Sequence, residues 1–553
     1  MPVVTMALVF LLAVVVSTFV VRLLPIRVPL PLLQIAIGAV LSQFFGFEVT
    51  FEPYLFLLLF IPPLLFLDGW RIPKGAFLHD WRAILTLAIG LVVFTVAGMG
   101  YFIHWLLPAV PLAVAFALAA ILSPTDPVAV SAMTANAPVP SRLMHILEGE
   151  SLLNDATGLV CFTFAVTAVM TGQFSPTSAS WHFMLVAGGG VLTGVAVTWA
   201  IGRLNRFLVR RAGEEPAPQI LVSLLIPFAA YLAAEHLHVS GILAAAVAGI
   251  AMHYGELSDR PLPATRMQRA AVWDTVQAAL NGIIFVLLGD QLPRMLRQLP
   301  DVAAQVGTHT PWHLLGYMVV ITLALGVLRF AWVSIAAFAG VTYARFKGEA
   351  RTMPSLRLRA VASAAGVRGA ITLAGILTLP LLLPDGDAFP ARDAVILIAM
   401  GVIVLSLLIA SVALPLLARG LSAGDPALEI SGSRHDEAHA RVAATEAAIR
   451  RIEQALADTP ADAANQALRS EAGLRVLDVY QRRLDYGDPS GEKLTDIRRL
   501  AAAERSLRLK ALAAERDELY RLCRTHAIED DLMRRLVREV DLIESSLTPR
   551  AAH

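Results

Sequence analysis

Apolar runs of roughly 17–25 residues recur from the N-terminus to about residue 420 of this 553-residue chain, each long enough to cross a hydrocarbon core. No other feature restricts the fold so severely, because inside a bilayer every backbone polar group must find its partner within the protein. Hydropathy predicts spans at about 3–24, 30–47, 53–68, 83–106, 112–136, 143–171, 183–211, 219–234, 239–255, 271–291, 311–344, 355–382 and 391–420. The fold class that follows is an all-α polytopic membrane protein of about thirteen transmembrane helices.

The basic residues test that count independently. Clusters such as Arg71, Lys74 and Arg82, or Arg203, Arg206, Arg210 and Arg211, or Arg345, Lys347 and Arg351, fall in alternate loops. The intervening loops hold only Arg294, Arg297 and Arg392. Positive residues mark the cytoplasmic side, so the N-terminus is expected outside and the C-terminal region in the cytoplasm of a cell whose inner membrane the chain crosses repeatedly. The first run, Val3 to Val21, has no basic segment before it and no small-residue cleavage site, and reads as a retained helix.

Charge divides the chain. Of 44 Asp and Glu residues, 24 lie after residue 420, with 21 of the 45 Lys and Arg. The net charge of +1 therefore averages an apolar region and a highly charged one, and gives no reason to expect nucleic acid. The domains expected are a transmembrane unit at 1–420, a linker at 421–433 and a cytosolic helical domain at 434–553. In the last, Glu492 to His526 has the pattern of one long helix, Leu532, Leu536, Val540 and Ile543 recur at helical spacing, and TP at 459–460, YGDPSG at 486–491 and AIEDD at 527–531 mark turns. The two cysteines, Cys161 and Cys523, suggest neither a disulfide framework nor a metal site, and no cofactor is expected. No GxxxxGK[ST] sequence occurs.

Three polar interruptions carry the chemistry. The first is SPTDP at 123–127, in the middle of an apolar run. Pro124 and Pro127 lack N–H donors and Pro127 disfavours helix at Asp126, so the span should unwind near Thr125 and Asp126. Irregular backbone at that depth survives only where protein or a wet cavity surrounds it, and an ionisable residue there is a functional candidate. The other reading is a loop between two short buried helices. In the next span Glu150, Ser151, Asn154 and Asp155 fall within an arc of about 140° on one helix face. Two acids, a hydroxyl and an amide resemble oxygen ligands for a small hard cation, with no His or Cys to suggest zinc; alternatively they form an interhelical hydrogen-bonding seam. The third interruption is VASAAGVRGAITLAGILTLP, where glycines loosen the helix and Arg368 needs a carboxylate, such as Glu150, or free carbonyls near Asp126. Interrupted helices in two halves point to a transporter site between inverted repeats. If Glu150 and Arg368 neutralise each other, Asp126 and Asp155 remain to take either H⁺ or a metal cation, and competition between the two makes an exchanger.

These residues resemble the monovalent cation:proton antiporter 1 family, the bacterial and animal sodium/proton exchangers. The resemblance rests on FIPPLLFLDGW at 60–70, SPTDPVAV at 123–130, EGESLLNDATGLV at 148–160 and GVRGAIT at 366–372, in that order. It implies a thirteen-helix antiporter fold with two discontinuous helices, a homodimer, and alternating access between a core and an interface bundle. It also implies that Asp155 carries the proton or cation. Thr125 (through its carbonyl), Asp126, Glu150 and Ser151 complete the cation shell, with Na⁺ at Asp126, Ser151 and Asp155. Asn154 and Arg368 would brace the site. The Asn154–Asp155 pair, in place of two aspartates, favours electroneutral one-for-one exchange of Na⁺ or Li⁺ for H⁺. The set near Asp68 and Arg71 reads as a structural feature of the membrane edge.

Rival readings are a K⁺/H⁺ antiporter on the same scaffold, a passive channel, and more remotely an intramembrane aspartyl protease. LLGD at 287–290 resembles the GxGD of such proteases, but Leu287 replaces the first glycine and Asp290 falls at the predicted outer end of its helix. Arg329, in LRFAW, reads as a packing or salt-bridge residue.

Overall fold

A computed structural model describes all residues except 1–2, 25–27, 46–52, 72–80, 135–138, 140, 173–175, 260–261, 306, 308–309, 349–351, 420–432, 458–470, 482–493, 526–529 and 548–553. The chain forms two compact units, Met1–Glu429 and Ile430–His553.

The first unit begins with α1 (Val3–Leu23), α2 (Leu30–Phe45), α3 (Pro53–Arg71) and α4 (Trp81–Leu106), the last containing a π-helical turn at Thr86–Leu91. There follow α5 (Leu112–Ile121), α6 (Pro127–Thr134), α7 (Ser141–Thr171), α8 (Pro176–Ala212), α9 (Pro216–His236) and α10 (Gly241–Asp259). The unit closes with α11 (Pro263–Gln305), α12 (Pro311–Phe346), α13 (Leu356–Ala364), α14 (Ala370–Leu377) and α15 (Arg392–Ala418). Among the described residues there is no strand, and eight of these helices are long and apolar enough to cross a membrane, with α2, α5 and α10 shorter but apolar.

Local chemistry sets many of the ends. Pro216 and Pro311 open α9 and α12 at the first helical position, where a missing N–H costs nothing. Gly172 (φ 67°) and Gly213 (φ 86°) follow α7 and α8 in the left-handed region that a side chain disfavours. Two segments outrun the sequence reading. The helix expected to end at Asp68 continues to Arg71, and the one expected over 271–291 runs from Pro263 to Gln305. The spans expected at 112–136 and 355–382 are each two half-helices, α5 with α6 and α13 with α14.

Packing sorts the helices into two groups. In one, α2 lies along α11 and α3 along α10, with α8 and α9 against α10 and α1 against α2 and α11. In the other, α4 packs on α5, α5 on α7, α12 on α13 and α15, and α6 and α14 on α15. This second group repeats one order, a continuous helix, a broken pair and a continuous helix, in α4–α7 and again in α12–α15.

Glycine allows the closest approaches. A Cβ on Gly69 would stand 2.2 Å from the Ala246 carbonyl oxygen, and one on Gly249 would stand 2.0 Å from that of Phe66, so α3 and α10 touch backbone to backbone. Gly38 and Gly289 do the same for α2 and α11. Among the described residues, every glycine of this unit that sits so tightly faces a helix or connecting segment of its own group.

The second unit contains α16 (Ser433–Ala457), α17 (471–481), α18 (Leu494–Arg524) and α19 (Asp530–Leu547). The α18 helix matches the long helix expected from Glu492. Val537 and Val540 of α19 are buried, as is Leu512 of α18, while Ile543 is exposed, so the apolar stripe is buried along only part of its length. Arg516 of α18 pairs with Asp541 and Glu544 of α19. The turns expected at 459–460 and 486–491, and most of that at 527–531, lie outside the described residues.

Candidate cation site

The two helix breaks meet. Leu122 ends α5, Pro124 offers no donor, and the Asp126 N–H donates to the Val367 carbonyl across the gap at 2.8 Å. Asp126 then caps α6: its Oδ1 accepts from the Ala129 N–H at 3.2 Å, and Pro127 takes the first helical position. An acidic cap followed by proline is among the strongest local helix-start signals, which explains why the chain restarts there. On the facing segment Gly369 caps α14, and a Cβ at that position would lie 2.1 Å from Asp126 Oδ2. The carboxylate of one break therefore occupies the space that glycine leaves in the other.

Helix α7 runs beside this crossing. The Ser151 hydroxyl donates to the Thr125 carbonyl at 2.9 Å, and Asn154 Nδ2 donates to Thr125 Oγ1 at 3.0 Å. Both bonds fix the unwound segment to a continuous helix. Glu150, Ser151, Asn154 and Asp155 are all buried. The Asn154 Oδ1 atom is buried without a hydrogen-bond donor.

A cavity of ≈ 30 Å³ lies at the crossing, above the roughly 10–15 Å³ that one water needs. Thr125, Asp126, Ser151 and Asp155 line it from one side; Asp68 of α3 and Gln277 and Asn281 of α11 line it from the other. Among the described residues, no three His, Cys, Asp or Glu side chains close on one point as a metal cluster would.

Three sequence expectations change here. Glu150 is held by Arg329, not Arg368: Arg329 Nη1 and Nη2 donate to its two carboxylate oxygens at 2.5 and 2.8 Å, and Arg329 Nε donates to the Ala362 carbonyl at 3.0 Å. Both carboxylate oxygens of Glu150 thus accept from one guanidinium, and Glu150 is not among the described residues that line the cavity at the crossing. Arg368 instead donates from Nη1 to the Gly366 carbonyl at 2.9 Å, and its backbone N–H donates to Ser406 Oγ, so it ties the second break to α15. Asp68, expected as a structural feature outside the site, lines the cavity. One turn on, Arg71 donates to Gln277 Oε1 at 2.7 Å and pairs with the exposed Asp274.

The transmembrane sodium/hydrogen exchanger pattern matches residues 9–420, most of the chain and all the elements that build the crossing. The chain belongs to the sodium/hydrogen exchanger family. It is 43% identical over 538 residues to the uncharacterised Na⁺/H⁺ exchanger YjcE of Escherichia coli (strain K12), covering 96% of each protein. It is 42% identical over 415 residues to the sodium, potassium, lithium and rubidium/H⁺ antiporter of Bacillus pumilus (strain SAFR-032), covering 74% of this chain and 61% of that one. Its fold is similar to that of the sodium proton antiporter MjNhaP1 of Methanocaldococcus jannaschii, with a TM-score of 0.57, 17% identity, and coverage of 76% of this chain and 99% of that one.

As an exchanger this is a multi-pass transporter and not an enzyme. Asp290, the residue behind the protease reading, is buried in the middle of α11 and does not line the cavity with Asp126 and Asp155. Gln277 and Asn281 escaped the sequence reading because neutral amides on a long helix give no signal. Arg329 and Glu150 stand 179 positions apart, a separation at which spacing says nothing of pairing.

Proposed function

We propose that this exchanger moves Na⁺ or Li⁺ against H⁺, one for one and without net charge, by alternating access across the inner membrane. The observation that carries the reading is the cavity at the crossing of two interrupted helices, bordered by Asp155, Asp126 and Ser151 in a chain of this family. A buried carboxylate needs a counter-charge, which either a proton or an alkali cation supplies. Asp155 is the group over which the two compete. Asp126, Ser151 and the Thr125 carbonyl complete the shell, with Asp68 and Asn281 meeting the cation from the opposite group of helices. Glu150 supports the shell through Arg329 rather than joining it, and Arg368 and Asn154 hold the crossing.

The distribution of tight glycine contacts supports alternating access, since the closest packing lies within each helix group and leaves the seam at the cavity as the surface of easiest displacement. The alternation of basic loops supports an N-terminus outside and a cytoplasmic C-terminal unit. A homodimer follows from the family resemblance.

A second reading has a specific observation in its favour: the Bacillus relatives are named for potassium and rubidium as well as sodium and lithium. One experiment separates the two. The full chain in proteoliposomes with an imposed pH gradient receives Li⁺, Na⁺, K⁺ and choline in turn, beside Asp155→Asn. The proposal expects Na⁺ and Li⁺ to dissipate the gradient with the membrane potential clamped, and the variant to stay at background. Equal dissipation by K⁺ replaces the narrow selectivity with the broad one; no dissipation by any alkali cation with folded protein removes the reading.

A further inference from the structure

Gln277 lines the cation cavity yet stands outside the proposed shell, and the end of α3 supplies the reason. Asp274, Gln277 and Asn281 recur at helical spacing along one face of α11, from the exposed Asp274 to the two half-buried amides that border the cavity. On α3, Asp68 borders the same cavity, and Arg71, three residues on and the last of the helix, lies on the same side. From there Arg71 Nη1 donates to Gln277 Oε1 at 2.7 Å, and Nη2 pairs with Asp274. One guanidinium thus spans a turn of α11.

That contact decides which end of the amide is spoken for. A guanidinium has donors and no acceptor, so Gln277 must turn its oxygen to Arg71, and the end left over is an NH2 group, which cannot ligate a cation. The bonded oxygen is also a poor ligand. A cation on it would stand within a few ångström of the guanidinium charge, in partly buried surroundings that screen little. Asp274 holds the outer nitrogen of the same planar fork, so the guanidinium is fixed in direction as well as in place.

The number of oxygens matters for the choice of ion. Between cations of one charge, selection turns on cavity size and on how many oxygens can close on the ion. A cavity of ≈ 30 Å³ with few ligands suits a compact ion, and one more movable oxygen suits a larger one.

We propose that Arg71 is a positioning residue that sets cation specificity: by holding the Gln277 carbonyl oxygen it keeps that oxygen out of the shell, and so favours Na⁺ or Li⁺ over K⁺. The inference rests on the proposed exchange of Na⁺ or Li⁺ for H⁺. Asp274 acts one step further out, through Arg71.

The test measures half-maximal concentrations of Na⁺ and K⁺ for the full chain in proteoliposomes, at fixed pH and clamped membrane potential. Wild type, Arg71→Met, Gln277→Met and the double variant are compared. The ratio of the two constants within one protein cancels any loss of folded protein, and it cancels the lost charge of Arg71, which acts on both ions alike. Arg71→Met should shift that ratio towards K⁺ about tenfold. Gln277→Met has no oxygen to withhold and should keep the wild-type ratio, and the double variant should return to it. Arg71→Ala serves with the same expectation if Arg71→Met does not fold. An unchanged ratio in the Arg71 variant, or a double variant as permissive as Arg71→Met, overturns the inference and leaves the exchange reading standing. A wild type that takes Na⁺ and K⁺ equally overturns it together with the narrow selectivity, and one that exchanges no alkali cation overturns it with the whole functional reading.

Discussion

At the scale of the residue, the Glu150–Arg329 pair shows how a buried charge is tolerated and what it restrains. Both side chains are buried, and the guanidinium also satisfies a carbonyl near the C-terminal end of α13. Breaking such a pair leaves a charge in apolar surroundings. Arg329→Met should therefore destabilise the protein by about 3–5 kcal/mol, and adding Glu150→Leu should restore most of that loss. Thermal unfolding in detergent measures both, and a double variant no more stable than Arg329→Met would contradict the account. Gly369 makes a sharper probe of the cavity. Gly369→Ala puts a methyl group where Asp126 Oδ2 stands, displacing the carboxylate by about 1 Å and weakening apparent cation affinity on the order of 10–100-fold while the helices remain folded. Unchanged affinity in the exchange assay would mean that Asp126 is not a ligand.

At the scale of the element, the two helix breaks were legible in the sequence for a physical reason. Prolines at 124 and 127 and the glycines around Arg368 change backbone chemistry locally, and local chemistry is what a sequence displays. That the breaks cross was expected from the family resemblance, with Arg368 bracing the site; that they join through the Asp126 N–H and the Val367 carbonyl was not legible, because the contact links residues far apart in the chain. Nor was the depth of Asp68: hydropathy ends its span at the first charge, whereas the helix carries that charge into the protein and continues for another turn. The α3–α10 contact yields a prediction at this scale. Gly249→Ala must push apart two backbones and should cost about 1–3 kcal/mol. Gly202→Ala, in α8 with no atom within 4 Å of its added methyl, should be neutral or gain up to about 1 kcal/mol from helix propensity. Comparable losses at both positions in thermal unfolding would refute close packing as the cause.

At the scale of the whole molecule, exchange by competition has a quantitative signature. If one proton and one cation contend for Asp155, the apparent cation affinity should fall about tenfold per pH unit on the acid side, a slope of one. Half-maximal Na⁺ concentrations measured across pH in proteoliposomes give that slope, and clamping the membrane potential at either sign should leave the rate unaltered. A slope near two, or a rate that follows the potential, would require a second carboxylate in the stoichiometry, with Asp126 and Asp68 as the groups at hand.

Helix α7 turns one face to the cavity at the crossing and another to a larger one, of ≈ 710 Å³, that opens among α4, α7, α12 and α13. Arg142, Ile146 and Glu150 line the larger one, and Ser151 and Asp155 the smaller. The compartments thus share a party wall a single helix thick, and a close-packed wall transmits pressure instead of absorbing it. A molecule lodged in the larger chamber would press on the back of the helix that carries Ser151 and Asp155.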